Sequence, residues 1–166
     1  MAKSNDDDHP TIDELEAQER ELVLDRADLG TLLELGRRMT GAAAERELPI
    51  VIQIRSGGRL VYVAALPGST ASNDGWAAKK ARVTEHFEHS SLLVRLRHEL
   101  VGEDVNTSHG LSPEHYQAHG GAFPLRARNV GVIGSVVVSG LPQLVDHAFV
   151  VEQLDAFLTN AAERRA

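Results

Sequence analysis

Two histidines bracket the segment that carries most of the candidate chemistry in this chain of 166 residues. His119 precedes the pair Gly120-Gly121, and His147 follows Asp146 at the start of an apolar segment. Imidazole titrates near neutral pH and carries a nitrogen lone pair, so it can act as an acid, a base or an iron ligand. His119 is therefore a candidate ligand-binding residue. Alternatively, it hydrogen-bonds a turn carbonyl and only fixes the entry to a hairpin.

Asp146 and His147 form a second candidate pair, for acid/base chemistry or for orienting a ligand. Consecutive residues of a helix point about 100° apart, so the two side chains cannot simply face one another. An aspartate in the first turn of a helix is also stabilised by the helix dipole, and this structural explanation is favoured. A functional pair at this corner then requires a neighbouring chain to supply a partner.

A hydroxyl stands beside an imidazole at His89-Ser90-Ser91, as a serine nucleophile requires. The Gly-x-Ser-x-Gly elbow is absent, however, and no strand–elbow–helix pattern surrounds these residues. The pattern favours Ser90 or Ser91 as the N-cap of the following helix. No complete set of nucleophile, base and orienting residue can be assembled, so the sequence alone does not define an enzyme.

Trp76 with Lys79 and Lys80 can supply a stacking surface and cations for a propionate or a phosphate. The alternative is a packed tryptophan with lysines that extend to solvent. Histidine pairs three or four residues apart also occur, but HExxH is absent and eight histidines produce such spacings by chance. We therefore predict no dedicated metal site.

Composition narrows the function classes. Without cysteine, the chain has no disulfide, no cysteine-ligated zinc or iron–sulfur cluster and no thiol nucleophile. The formal net charge of −7 argues against nonspecific binding to nucleic acid or to an anionic membrane. No secretory signal opens the sequence and no window is apolar enough to span a bilayer, so we predict a cytoplasmic protein.

The pattern of apolar residues predicts a disordered tail over residues 1–10 and a single domain over residues 11–166. A first helix runs to about Leu24, and Asp28 begins a second. A hairpin turns at Gly57-Gly58, two further helices follow, and a second hairpin covers 122–139 before the final helix. Because Val130 to Ser139 is apolar on both alternating faces, this strand is predicted to be central, with helices on both sides. The order indicates an α+β fold with an antiparallel sheet between helices.

Three motifs in the same order resemble the UPF0303 family, within the GlcG-like and HbpS-like haem-degrading domain group. The motifs are HGGAFPLR, GVIGSVVVSGLPQLVDH and, upstream, DGW…KK…HFEHSS. The resemblance implies a profilin-like α/β/α sandwich with a five-stranded antiparallel sheet, and a homo-oligomer built from dimers. It also implies that haem or another tetrapyrrole is a possible ligand.

The resemblance groups the candidate ligand-binding residues as Trp76, Lys80, His89, Ser90, His119, Gly120, Gly121, Asp146 and His147. The Glu-x-x-Glu spacing linked to surface iron in the wider group recurs at Glu16 and Glu19, and again at Glu85 and Glu88. Both pairs fit ordinary solvated helix faces equally well. The first hypothesis is therefore a small-ligand-binding domain with a pocket near His119 and Asp146-His147, which neighbouring subunits can share. The alternative is a homo-oligomeric structural or protein-interaction module without catalytic activity.

Overall fold

The computed structural model describes residues 9–163, and over this range the chain forms six helices and five strands. In chain order these are α1 (Ile12–Glu21), β1 (Val23–Leu24), α2 (Leu29–Glu45), β2 (Val51–Ser56), β3 (Arg59–Ala65), α3 (Ala71–Phe87), α4 (Ser91–Leu100), α5 (Val105–His109), β4 (Ala122–Ala127), β5 (Gly131–Ser139) and α6 (Gln143–Glu163). The tail predicted over residues 1–10 lies outside the described residues except for its last two.

The five strands form one sheet in the order β1-β4-β5-β2-β3, so β5 is central as predicted. The α+β class and the five-stranded sheet are confirmed, but the prediction of a purely antiparallel sheet is wrong. β1 runs parallel to β4, with Val23 opposite Arg126 and Leu24 opposite Ala127. The first helix ends at Glu21, and the chain passes directly into this two-residue edge strand. A strand of two residues is too short to show a periodic pattern in the sequence. Its pairing with β4 depends on contacts between distant parts of the chain.

Both predicted hairpins are present. Gly57 and Gly58 turn between β2 and β3 with φ of 57° and 74°, a left-handed conformation that glycine adopts without strain. The second hairpin pairs β4 with β5, and Pro124 lies in a section of β4 that the short β1 does not reach. Its missing N–H therefore costs no hydrogen bond on that side.

Helices cover both faces of the sheet. α2 and α6 pack on one face and enclose the main core with the apolar side chains of β2, β4 and β5. α3 packs on the other face, where Ala77 and Ala81 contact Ala122 and Val137. Because these side chains are small, the α3 backbone lies close to the sheet. Lys80, on the same helix, can then reach the end of β5.

Across residues 9–163, no helix is long and apolar enough to cross a membrane.

Candidate functional site

A cavity of about 300 Å³ opens where α3, the start of β4 and the start of α6 meet. It brings together most of the residues that the sequence grouped: Trp76, Lys80, His119, Gly120 and Asp146 all line it. The other lining residues are Asn73, Ser139, Gly140, Leu141 and Gln143. We refer to this cavity as the His119 pocket.

A buried ion pair forms the inner wall of the His119 pocket. The Lys80 ammonium donates to Asp146 Oδ2 at 3.1 Å, and both side chains are only 3% exposed. It also donates to the carbonyl oxygens of Val138 at 2.6 Å and Gly120 at 3.0 Å. Asp146 Oδ1 accepts from the Leu141 amide at 3.1 Å. All three ammonium hydrogens are therefore used, and one side chain joins α3, β5, the β4 entry and α6.

Burial and pairing act in opposite directions on these two groups. Burial lowers the pKa of Lys80, while the neighbouring Asp146 carboxylate opposes that change. Burial likewise raises the pKa of Asp146, and the Lys80 ammonium opposes that rise. The short contacts of Lys80 match an ammonium that donates to three acceptors, so the pair is best described as charged and mutually compensated.

The two glycines after His119 make room for this pair. Gly121 has φ of +121°, and a Cβ there would lie 2.5 Å from Lys80 Nζ and 2.5 Å from the Val138 oxygen. A Cβ on Gly120 would collide with the carbonyl oxygen of Gln143. The His-Gly-Gly motif therefore fixes how closely the β4 entry approaches α3 and α6.

His119 presents an imidazole without hydrogen-bond partners to the pocket. Its Nδ1 is inaccessible to solvent, and neither ring nitrogen bonds to another described residue. The Trp76 ring lies edge-on to it at a centroid distance of 5.0 Å. Burial lowers the pKa of His119, and the charges of Arg95 and Lys80 act in the same direction. The ring is therefore neutral at neutral pH and keeps a lone pair for a ligand.

His147 points away from the His119 pocket, although it follows Asp146 directly. It is 3% exposed, its Nε2 lies 2.9 Å from Gln18 Oε1, and its Nδ1 has no partner among the described residues. Burial lowers the pKa of His147 to about 4. His147 borders a separate groove between α1 and α6, with Leu144 and Val151. Because consecutive helical residues point about 100° apart, Asp146 lines the His119 pocket and His147 lines the groove between α1 and α6.

His89 and Ser90 also lie outside the His119 pocket. Ser90 caps α4 by accepting a hydrogen bond from the Leu93 amide at 3.2 Å, which confirms one of the two N-cap residues predicted from the sequence. His89 Nδ1 lies 2.7 Å from Glu19 Oε2, and the Ser90 amide donates to Glu19 Oε1 at 2.6 Å. The structure therefore sorts the predicted site residues into the His119 pocket, the Glu19 contact and the His147 groove.

The burial of Glu19 and its pairing with Arg126 were not predicted, since Glu19 was considered only for surface iron or for a solvated helix face. Glu19 is 4% exposed, and Arg126 Nη2 lies 3.4 Å from its Oε2. The sequence does contain a signal, since Glu19 falls at helical spacing between the buried Leu15 and Leu22. A charged residue within a buried stripe requires a partner of opposite charge.

The Glu-x-x-Glu pair on α1 does not form an open carboxylate site. Glu16 accepts from Arg97 at 2.7 Å, and Glu19 is held by His89 and Arg126. No cluster of three or more histidine, aspartate or glutamate side chains within residues 9–163 is arranged to hold a metal ion.

Comparisons with known proteins agree with the fold. A UPF0303 protein from Streptomyces avermitilis is 47% identical over 150 residues, which cover 90% of this chain and 92% of that protein. The crystal structure of the Ybr137w protein superposes with a TM-score of 0.84 at 25% identity, over 92% of this chain and 90% of that one. The crystal structure of a PduOC complex with haem superposes with a TM-score of 0.66 at 19% identity, over 79% of this chain and 94% of that one.

The family model described as "Haem degrading protein HbpS-like" matches residues 28–155, which include every strand except β1 and the whole of the His119 pocket. The chain therefore belongs to the HbpS-like haem-degrading protein family, as one of its UPF0303 members.

Proposed function

We propose that the protein is a small-ligand-binding domain that takes haem or another tetrapyrrole at the His119 pocket. One observation carries the proposal: the His119 imidazole borders a cavity, and this imidazole has no hydrogen-bond partner among the described residues. The burial that lowers the pKa of His119 favours the neutral imidazole, the form that would hold a haem iron.

The residues around His119 fit the different parts of such a ligand. Trp76 is 38% exposed and offers an aromatic surface to a macrocycle, and the Lys79 ammonium lies 5.6 Å from the Trp76 ring as a cation for a propionate. Bound haem would supply an iron centre, while this chain would hold that iron through His119. The haem complex of the PduOC relative, which shares this fold, supports testing haem first.

The size of the pocket supports a ligand that is shared between subunits. A volume of about 300 Å³ lies at the lower end of the range for ligand pockets, roughly 300–1,000 Å³. One chain would therefore enclose only an edge of a tetrapyrrole, and the rest would extend past Trp76. We propose a homo-oligomer built from dimers in which a second subunit covers the exposed part.

Titration with haemin tests the proposal. We expect a saturable Soret shift for the native protein and its loss in His119→Ala. His115→Ala is the matched control, because His115 is exposed and borders none of the cavities described above. Absence of a saturable shift, or a shift that His119→Ala leaves unchanged, would refute ligation by His119.

Exposed apolar residues favour a second candidate function, that of an interaction module. Val145 is 49% exposed next to Asp146, and Leu60 and Val63 are 50% and 46% exposed on the edge strand β3. Light scattering on Val145→Ser and Leu60→Ser distinguishes the candidates. Dissociation together with weaker haemin binding supports the shared pocket, whereas dissociation without any effect on haemin binding favours the interaction module.

A further inference from the structure

A second cleft, with a volume of about 400 Å³, shares no lining residue with the His119 pocket. It is bounded by α1, β1, β4, α4 and the turn before α4. Its lining consists of Glu16, Glu19, Arg20, Val23, His89, Arg97 and Arg126. We refer to it as the arginine cleft.

The buried Glu19 carboxylate organises the arginine cleft. It accepts from the Ser90 amide at 2.6 Å and contacts His89 Nδ1 at 2.7 Å, which fixes the orientation of the imidazole. Arg126 Nη2 lies 3.4 Å from Glu19 and donates to the Glu88 carbonyl at 2.6 Å. The guanidinium of Arg126 is therefore held in place at two points, although the residue lies beside a sheet edge.

Positive charge exceeds negative charge in this cleft. Three guanidinium groups face two carboxylates, so the guanidinium charges exceed the carboxylate charges by one. The chain as a whole carries a net charge of −7. A local cationic excess on an acidic protein attracts small anions to this position.

Several donors in the cleft have no acceptor. Within the described residues, Arg126 uses only Nη2, and Arg97 uses only Nη2, in its 2.7 Å contact with Glu16. Arg20 lies 3.7 Å from Glu16 and is 68% exposed. Guanidinium groups with free donors bind planar oxyanions in bidentate fashion. The half-buried Val23 adds an apolar wall beside them.

We propose that the arginine cleft binds a small monocarboxylate. The free guanidinium donors receive the carboxylate, and Val23 contacts the carbon skeleton. One excess positive charge matches a monoanion better than a phosphate dianion, because Glu16 and Glu19 would repel the second negative charge. This site is independent of haem binding at His119.

Titration of the full-length protein with benzoate, benzamide and inorganic phosphate tests the proposal, with amide shifts in ¹⁵N-correlated NMR spectra as the readout. Benzamide matches benzoate in shape but carries no charge. We expect benzoate to shift amides around Ser90 and Arg126, and benzamide and phosphate to bind at least several-fold more weakly.

Arg126→Gln and Arg97→Gln should each raise the benzoate Kd about tenfold or more, the usual effect of losing a charged hydrogen-bonding group. Arg128→Gln is the matched control, because Arg128 follows the same strand but pairs with Asp25 outside the cleft. Arg97 is 38% exposed, so its variant tests the proposal even if Arg126→Gln destabilises the fold. No benzoate binding, equal binding of benzamide, tighter binding of phosphate, or an unchanged Kd in folded Arg97→Gln would each overturn it.

Discussion

Replacement of Lys80 by methionine should destabilise the fold far more than the loss of a surface charge. The change removes three donors and leaves the Asp146 carboxylate, 3% exposed, without its cation. Breaking a buried pair in this way costs about 3–5 kcal/mol of unfolding free energy. Arg95→Met is the control: Arg95 pairs with Glu99 on the same helix at 32% and 50% exposure, and such a pair contributes under about 1 kcal/mol.

Urea unfolding followed by circular dichroism measures both losses. A Lys80→Met/Asp146→Leu double variant removes both charges, so its loss should fall short of the summed single losses by about 2 kcal/mol. In Lys80→Met alone, the absence of the ammonium raises the pKa of Asp146 further above its unfolded value. The folded variant then retains a proton that the unfolded chain releases, so its deficit should grow as pH rises above about 4. A deficit equal to that of Arg95→Met, or one independent of pH, would refute the buried ion pair.

Two further perturbations follow from buried groups. Because burial lowers the pKa of His147 to about 4, the unfolded chain takes up a proton at a higher pH than the folded chain does. Acidification from about pH 6.5 to 4 should therefore lower the free energy of unfolding by about 3 kcal/mol through this group. Denaturant unfolding measures this loss as the difference between the native protein and His147→Gln. An equal pH dependence in the two proteins would contradict this expectation. Gly121→Ala should lower the Tm and weaken haemin binding, since its Cβ would meet Lys80, whereas Gly41→Ala in α2 has open space and should raise stability by about 0.5–1 kcal/mol. Equal effects of the two alanines on Tm would contradict the close approach at Gly121.

Local signals in the sequence predict the parts of the fold that depend on local chemistry. The Gly57-Gly58 hairpin, the Ser90 cap and the central position of β5 each follow from a few neighbouring residues. β1 does not, because two residues carry no period and their parallel pairing with β4 is a tertiary contact. The mixed character of the sheet could therefore not be predicted from local sequence patterns.

In the candidate site, too, some features were predictable from sequence motifs, and others depend on contacts between distant segments. Motif order placed His119, Gly120 and Asp146 in one region, and they share a cavity. Lys80 was expected either to offer a cation to a ligand or to extend into solvent, yet it is buried with all its donors used, because the small alanines of α3 bring the helix close to the sheet. His89 was grouped with His119, but its partner Glu19 lies 70 residues away in sequence. Only the folded chain brings these two side chains together.

Chemical rescue with imidazole tests whether His119 holds the haem iron, because a free imidazole can then replace the missing side chain. His119→Gly loaded with haemin should lose the native Soret position and regain it when imidazole is added, while His115→Gly should keep the native spectrum throughout. A His119→Gly protein whose haemin spectrum already matches that of the native protein would contradict the assignment of His119 as the haem ligand.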